Sequence, residues 1–208
     1  TSNLLKGYAN VVINAWATGG NLNSGRTTLA GAGTQTSALG FGGYSPGITT
    51  ASEKYNGSAW TNTPGLNTAR PNVSGCGTQT ATLAFGGNVP GNVTGSTELW
   101  NGSTWTANPT GLNTARSSLG GSGTQTLAIA FGGYNGTANT ATTELWNGST
   151  WTTSPGNMAT ARYNLASSKN GTQTAALGFG GYVGGSPYSN ATEEWSGASV
   201  QVRTITTS

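Results

Sequence analysis

The feature that most constrains this chain is a motif that recurs four times along its 208 residues. GTQT begins at positions 33, 77, 123 and 171, and FGG follows at 41, 85, 131 and 179. The nonapeptide ELWNGSTWT occurs twice without change, at 98–106 and 144–152. A strand-like unit that repeats every 44 to 48 residues is typical of propeller blades, which bury their apolar faces against their neighbours. The sequence therefore predicts an all-β fold, a small β-propeller with four four-stranded blades.

Within each unit we label the predicted strands A to D in chain order. Strand A is expected to start at an arginine, and strand B to run into the FGG motif. In LAIAF (127–131), Leu127, Ile129 and Phe131 are expected on one face of strand B and the alanines on the other. This alternation predicts a sheet that is packed on both sides.

The sequence ELW-NG-STW predicts the hairpin of strands C and D, because Asn-Gly suits a two-residue type I′ turn. Such a turn would place Trp100 opposite Ser103 and Glu98 opposite Trp105. Both tryptophans would then share one face, and we interpret them as packing between neighbouring sheets rather than as a ligand platform.

Two charged positions also repeat in register, and they account for most of the few charges in the chain. We expect buried ion pairs that tie the blades together. The repeated structural positions are the arginines Arg26, Arg70, Arg116 and Arg162, the glutamates Glu53, Glu98, Glu144 and Glu193, and the outer-strand tryptophans Trp16, Trp60, Trp105 and Trp151.

Closure of the ring is predicted to involve the beginning of the chain. The spacing from Trp16 to Arg26 matches that from Trp60 to Arg70, which suggests that a strand around Trp16 joins the last blade. The alternative is an open arc that other chains or further residues complete. We therefore expect residues 1–12 to be a linker or extra strand and residues 13–208 to form the propeller.

The units resemble kelch repeats, in which an apolar strand ends in Gly-Gly and spaced aromatics follow. Here these are AFGG (84–87), then Trp100 and Trp105, with equivalents in the other units. The Gly/Thr/Asn-rich composition is most similar to the kelch-like repeats of bacteriophage and bacterial surface proteins. This resemblance implies an attachment role in a virion, or at an extracellular or cell surface.

Composition weighs against catalysis. The chain has no histidine or aspartate, which excludes copper-oxidase and sialidase sites of the kinds found on propellers. Its one adjacent carboxylate pair, Glu193–Glu194, would point to opposite faces of a strand and could not act as a glycosidase pair. The single cysteine, Cys76, stands where other units have alanine or serine, which indicates a small packed residue. We expect no enzyme activity, no metal and no cofactor.

Recognition is expected on the loops between strands B and C, because these loops differ from unit to unit while the strands repeat. The candidate ligand-binding residues are Tyr44, Asn88, Tyr134, Tyr182 and Tyr188. Ordinary solvated loops are the alternative interpretation. The opposite face would carry the repeated glutamines Gln35, Gln79, Gln125 and Gln173.

Two functions are compatible with this pattern. One is a binding module, in a phage tail fibre, a capsid-associated protein or a bacterial adhesin, that recognises a host surface glycan or protein. The other is a purely structural component that assembles with other virion or surface proteins. A net charge of +3 is too small for nucleic-acid binding, and no apolar run is long enough for membrane insertion. Homo-oligomer formation is left open.

Overall fold

The computed structural model describes residues 16–185 and 188–197, which form four antiparallel sheets arranged as the blades of a β-propeller. The predicted all-β fold is confirmed. Within these ranges, no helix is long and apolar enough to cross a membrane. The strands of the first two blades are β1 (Ala30–Thr34), β2 (Ser37–Phe41), β3 (Ser52–Tyr55), β4 (Trp60–Thr63), β5 (Ser74–Gly77), β6 (Thr82–Phe85), β7 (Asn88–Val89), β8 (Asn92–Val93), β9 (Thr97–Trp100) and β10 (Trp105–Asn108).

The remaining strands complete two further blades. They are β11 (Gly120–Gly123), β12 (Ala128–Phe131), β13 (Thr143–Trp146), β14 (Trp151–Thr153), β15 (Ala166–Ser167), β16 (Ala175–Phe179) and β17 (Thr192–Ser196). Blades one to three each contain four strands in the order A-B-C-D, and β7 and β8 form a separate hairpin in the B–C loop of blade two. Blade four has three strands within the described ranges, β15 to β17.

The prediction that strand A starts at the arginine is wrong, because in every blade strand A starts four residues after it. The residues between them turn the chain, because the second residue after each arginine has a positive φ of 52° to 53°. In blades two to four, the amide of this residue donates to the carbonyl of its counterpart in the preceding blade, from Asn72 to Thr28, from Ser118 to Asn72 and from Asn164 to Ser118. These backbone bonds hold the blades together around the propeller axis.

Neighbouring blades meet at seams filled by aromatic side chains, as expected for the tryptophans. At the first seam, Phe41 of blade one packs on Trp105 of blade two with ring centroids 5.0 Å apart. The Phe41 ring also lies against Gly75, where a Cβ atom would come within 2.5 Å of it. A side chain at Gly75 would therefore collide with this ring, which explains the glycine at this position of blade two.

The face alternation of strand B is confirmed in β12, but its predicted start is wrong. Ile129 and Phe131 belong to the core cluster toward blade four, whereas Ala128 and Ala130 belong to the cluster shared with blade two. Leu127 precedes the strand and is 52% exposed. The strand begins one residue later than predicted, at Ala128, so Leu127 lies beyond the sheet that would have covered it.

The predicted register of the C–D hairpin is also wrong. Trp100 pairs with Trp105, and Glu98 pairs with Ala107, so the loop contains four residues rather than two. The side-chain oxygen of Asn101 accepts hydrogen bonds from the amides of Ser103 and Thr104 at 3.0 and 2.9 Å. Together with the backbone hydrogen bond from the Asn101 amide to the Thr104 carbonyl, this side chain stabilises a four-residue loop in place of the two-residue type I′ turn. The two tryptophans still share a face, with centroids 5.4 Å apart.

The expected strand around Trp16 is not present at that residue. Trp16 lies outside any strand and is fully exposed, at 101%. The chain that follows passes blade one, because Gly19 and Gly20 lie against Tyr55 and Ser58 of that blade. Trp16 therefore does not close the last blade. The rest of the predicted strand lies outside the described residues, as do the proposed linker at 1–12 and the tail from residue 198.

Candidate functional site

The two ends of the propeller use their side chains differently. We call the end with the A–B and C–D turns the A–B face, and the end with the B–C loops and D–A linkers the B–C face. On the A–B face, Gln79 donates from Nε2 to the carbonyls of Ala38 and Tyr55 in the preceding blade. Gln125 and Gln173 make the corresponding bonds at the next two seams. These repeated glutamines therefore hold blades together.

Buried ion pairs fix the linkers that reach the B–C face. The four pairs are Arg26–Glu53, Arg70–Glu98, Arg116–Glu144 and Arg162–Glu193, with N–O distances of 2.7, 2.9, 3.0 and 2.7 Å. Each pair joins an arginine on the D–A linker to strand C of the blade that the linker enters. That the pairs tie neighbouring blades together stays a prediction.

The carboxylate nevertheless organises the linker from the preceding blade. Glu98 accepts hydrogen bonds from the amide and side chain of Asn67 at 2.7 and 2.8 Å, and from the amide of Thr68 at 3.3 Å. Arg70 also donates to the carbonyls of Gly86 and Ser96. One ion pair thus positions both the linker and the start of the B–C loop.

Burial of these guanidinium groups is electrostatically costly. Arg116 has no exposed surface, and its burial lowers its pKa to about 10, against the opposing effect of the Glu144 carboxylate. The pKa of Arg70 is lowered for the same reason and is likewise supported by Glu98. The glutamates thus offset part of the cost of burying these two charges.

A groove opens on the B–C face between blades two and three. The sequence Val-Pro-Gly-Asn builds its rim, because Gly91 takes a positive φ of 77° between the short strands β7 and β8. The groove has a volume of about 350 Å³ and is lined by residues that include Asn88, Asn92, Ser117 and Tyr134. It therefore combines amide and hydroxyl groups with one aromatic ring.

Three tyrosines from blades three and four lie together beside this groove. The ring of Tyr163 lies between those of Tyr134 and Tyr182, with centroid distances of 5.9 and 5.1 Å. The Asn139 side chain donates to the Tyr182 carbonyl at 3.3 Å and so joins the two B–C loops. Tyr182 keeps 38% of its surface exposed. The cluster is thus a supported aromatic surface that solvent can reach.

The other candidate residues occupy separate positions on the same face. Tyr44 is half exposed, at 50%, and its backbone pairs with Thr27 and Ile48 in blade one. Tyr188 is 85% exposed on the loop of blade four. Among the described aromatic contacts, neither ring touches the cluster. The structure thus brings together Tyr134 and Tyr182, with Asn88 across the groove.

A central depression completes the B–C face. It measures about 220 Å³ and is lined by matching residues of all four blades. The polar members are Thr28, Asn72, Ser118 and Asn164, and the apolar members are Leu29, Val73, Leu119 and Leu165. Because the polar residues are those with positive φ, the turns that link the blades also present hydroxyl and amide groups to solvent.

Sequence reasoning missed Tyr163. The residue after the repeated arginine is Thr27, Pro71 or Ser117 in the other units, and its backbone pairs with the first residue of the B–C loop in blades one, three and four. The available signal was that only the fourth unit has an aromatic residue at this position. Because the position lies beside the first residue of the B–C loop, it would have placed Tyr163 next to Tyr182.

The single thiol lies away from this face, in the core. Cys76 is 1% exposed, and its burial raises its pKa to about 12. In the described part of the chain, no group of three or more His, Cys, Asp or Glu side chains is placed to hold a metal ion.

Comparisons with models of protein families and with curated proteins found no match for this chain.

Proposed function

We propose that this chain is a non-enzymatic binding module that uses its B–C face to recognise a host glycan or another surface component. In this proposal it is a kelch-like propeller of a bacteriophage virion or a bacterial surface protein. The observation that carries the proposal is the cluster of Tyr134, Tyr163 and Tyr182 beside the groove that Asn88 lines.

The chemistry of this surface favours a sugar over a charged ligand. Tyrosine rings offer flat apolar faces with a polar edge, which suit the C–H faces of sugar rings. The groove and the central depression add amides and hydroxyls that can donate to and accept from sugar hydroxyls. Charged residues make up only 6% of the chain, so electrostatic steering contributes little to recognition.

The two faces differ in what their side chains contact, and this difference supports the B–C face as the binding surface. Gln79, Gln125 and Gln173 on the A–B face bind the backbone of neighbouring blades. The B–C loops instead differ in sequence from blade to blade, and in blade two the loop forms the β7–β8 hairpin. Loops that vary on a constant scaffold are where binding residues concentrate.

A glycan array probed with the purified chain tests this function. We expect binding to a subset of related glycans, and we expect Tyr182→Ala and Tyr188→Ala to reduce it while thermal unfolding stays unchanged. The matched control is Thr80→Ala at an exposed residue of the A–B face. An array without hits would contradict glycan recognition and would favour the purely structural role.

A further inference from the structure

The three internal seams share a set of contacts that can be compared with the fourth boundary, between blades four and one. Each internal seam has a glutamine amide bound to two carbonyls of the preceding blade. Each also has one backbone hydrogen bond near the axis. In the first two seams, a phenylalanine of strand B packs on the outer tryptophan of the next blade, with centroids 5.0 Å apart.

In blade four, the strand B phenylalanine that would make this contact, Phe179, is exposed to solvent. Phe41 and Phe85 are fully buried and Phe131 is 5% exposed, whereas Phe179 is 40% exposed. The alternation along β16 explains this exposure, because Ala176 and Gly178 face blade three. Phe179 therefore lies on the opposite face of the sheet, which points away from blade three and which we call the outer face of blade four.

Blade one presents the second half. Gln35 is exposed and makes no hydrogen bond to blade four among the described residues, unlike its three counterparts. Gly31 is the counterpart of Gly75 and Gly121, which lie against phenylalanine rings. A Cβ on Gly31 would meet only the Leu39 carbonyl, at 3.4 Å. The face of blade one that points away from blade two, its outer face, thus carries the residues of a seam but contacts no other blade among the described residues.

Among the described residues, these two faces make none of the aromatic or glutamine contacts of an internal seam. A cleft of about 430 Å³ is lined by Gly31, Gly40 and Trp60 of blade one and by Lys169 and Asn170 of blade four. Lys169 reaches past blade one and donates from Nζ to Ser74 Oγ of blade two at 3.2 Å. The A–B turn of blade four therefore lies near the axis, while the outer face of blade four is uncovered by the described residues.

We propose that this open seam is a docking surface for a second copy of the chain, with blade four of one copy on blade one of the other. Phe179 would pack against Gly31 and Trp60 of the second copy, and Gln35 would donate to the carbonyls of Ala176 and Trp195. A second copy is the occupant because each molecule carries both complementary halves, and the internal seams show that these halves fit. The contact is heterologous, so it either closes a ring or extends into a chain.

Two substitutions block opposite halves of the seam. Phe179→Ala removes the side chain that blade four inserts, and Gly31→Leu fills the space on blade one that would receive it. Gly31 has an ordinary φ and room around it, so the leucine is compatible with the folded monomer. Gly47→Leu is the matched control, because nothing lies within 4 Å of a Cβ on Gly47 in the loop of blade one.

Sedimentation velocity over a concentration series is the measurement, with circular dichroism melting to verify folding. We expect the unaltered chain and Gly47→Leu to self-associate, and each seam variant alone to remain monomeric. An equal mixture of the two seam variants should form a dimer, since one retains a functional blade one and the other a functional blade four.

Three results would overturn the proposal. The first is an unaltered chain that is monomeric at every concentration, as expected if another segment of the same chain covers the two faces. The second is self-association that persists in both seam variants, which would place the interface elsewhere. The third is a mixture of the seam variants that stays monomeric while the unaltered chain associates, which would exclude the head-to-tail arrangement.

Discussion

Glu98→Gln isolates the contribution of one buried carboxylate while preserving its shape. Glu98 is 1% exposed, and its partner Arg70 has no exposed surface. The glutamate accepts four hydrogen bonds, from the amide and side chain of Asn67, the amide of Thr68 and Nη2 of Arg70. Glutamine would remove the charge and turn an NH₂ group toward some of these donors.

The expected loss of stability follows from the arginine that is left without a counter-charge. Breaking a buried pair by removing one partner costs about 3–5 kcal/mol, since the remaining charge stays buried. For a domain of this size, about 2–4 °C of melting temperature corresponds to each kcal/mol. We therefore expect Glu98→Gln to lower the melting temperature by about 6–20 °C.

Urea denaturation and calorimetry of three variants test this reasoning. Glu194→Gln is the matched control, because Glu194 undergoes the same chemical change at an exposed position of β17 and should alter stability by less than about 0.5 kcal/mol. Glu193→Gln should fall between the two, since the Glu193 side chain is 24% exposed and that of Glu98 only 2%. A loss below about 1 kcal/mol for Glu98→Gln, as for a surface pair, would refute the argument.

Two further predictions concern the seams and the core. Gln125→Ala leaves the carbonyls of Thr82 and Trp100 without their side-chain donor and should cost about 1–3 kcal/mol in urea denaturation. The control Gln35→Ala, at an exposed glutamine, should cost far less, and equal losses would contradict the seam role. Because the folded-state pKa of Cys76 is raised from 9.0 to about 12, the unfolded state loses this proton first, and stability should fall between these pH values. The slope should approach about 1.4 kcal/mol per pH unit relative to Cys76→Ala, and parallel pH profiles of the two proteins would exclude it.

The blade pattern was predictable because packing rules repeat with the sequence. FGG marks the end of strand B, and the glycine at Gly75 is required where the Phe41 ring of the preceding blade approaches. The same contact recurs at the second seam, between Phe85 and Gly121, so imperfect copies of one motif are enough to indicate the architecture. The faces of the alternating residues in β12 follow from the same rule.

The hairpin register and the terminal strand depended on contacts that no periodicity shows. Asn-Gly favours a type I′ turn in general, but here the Asn101 side chain accepts hydrogen bonds from the amides of Ser103 and Thr104 and stabilises a four-residue loop. Trp16 has the right spacing for an outer strand, yet a strand also needs a sheet edge beside it. Residues 19–20 lie against blade one instead.

The candidate site was only partly predictable for a related reason. Variation among the B–C loops pointed to Tyr134 and Tyr182, but their approach to one another depends on Tyr163, which lies outside those loops. The groove depends on the β7–β8 hairpin lying against the loop of blade three, where Gly136 approaches Val93. Distances between loops of different blades are set by the whole propeller and cannot be read from one unit.

The central claim is that the B–C face binds and the A–B face packs. The most direct measurement is a calorimetric titration with a glycan that the unaltered chain binds. It compares the affinities of two quadruple variants, one altered on each face. Alanine at Tyr44, Tyr134, Tyr182 and Tyr188 should abolish binding with the fold retained. Alanine at the exposed threonines Thr36, Thr80, Thr126 and Thr174 of the A–B face should leave the affinity unchanged. Binding that survives the tyrosine changes but disappears with the threonine changes would contradict the account.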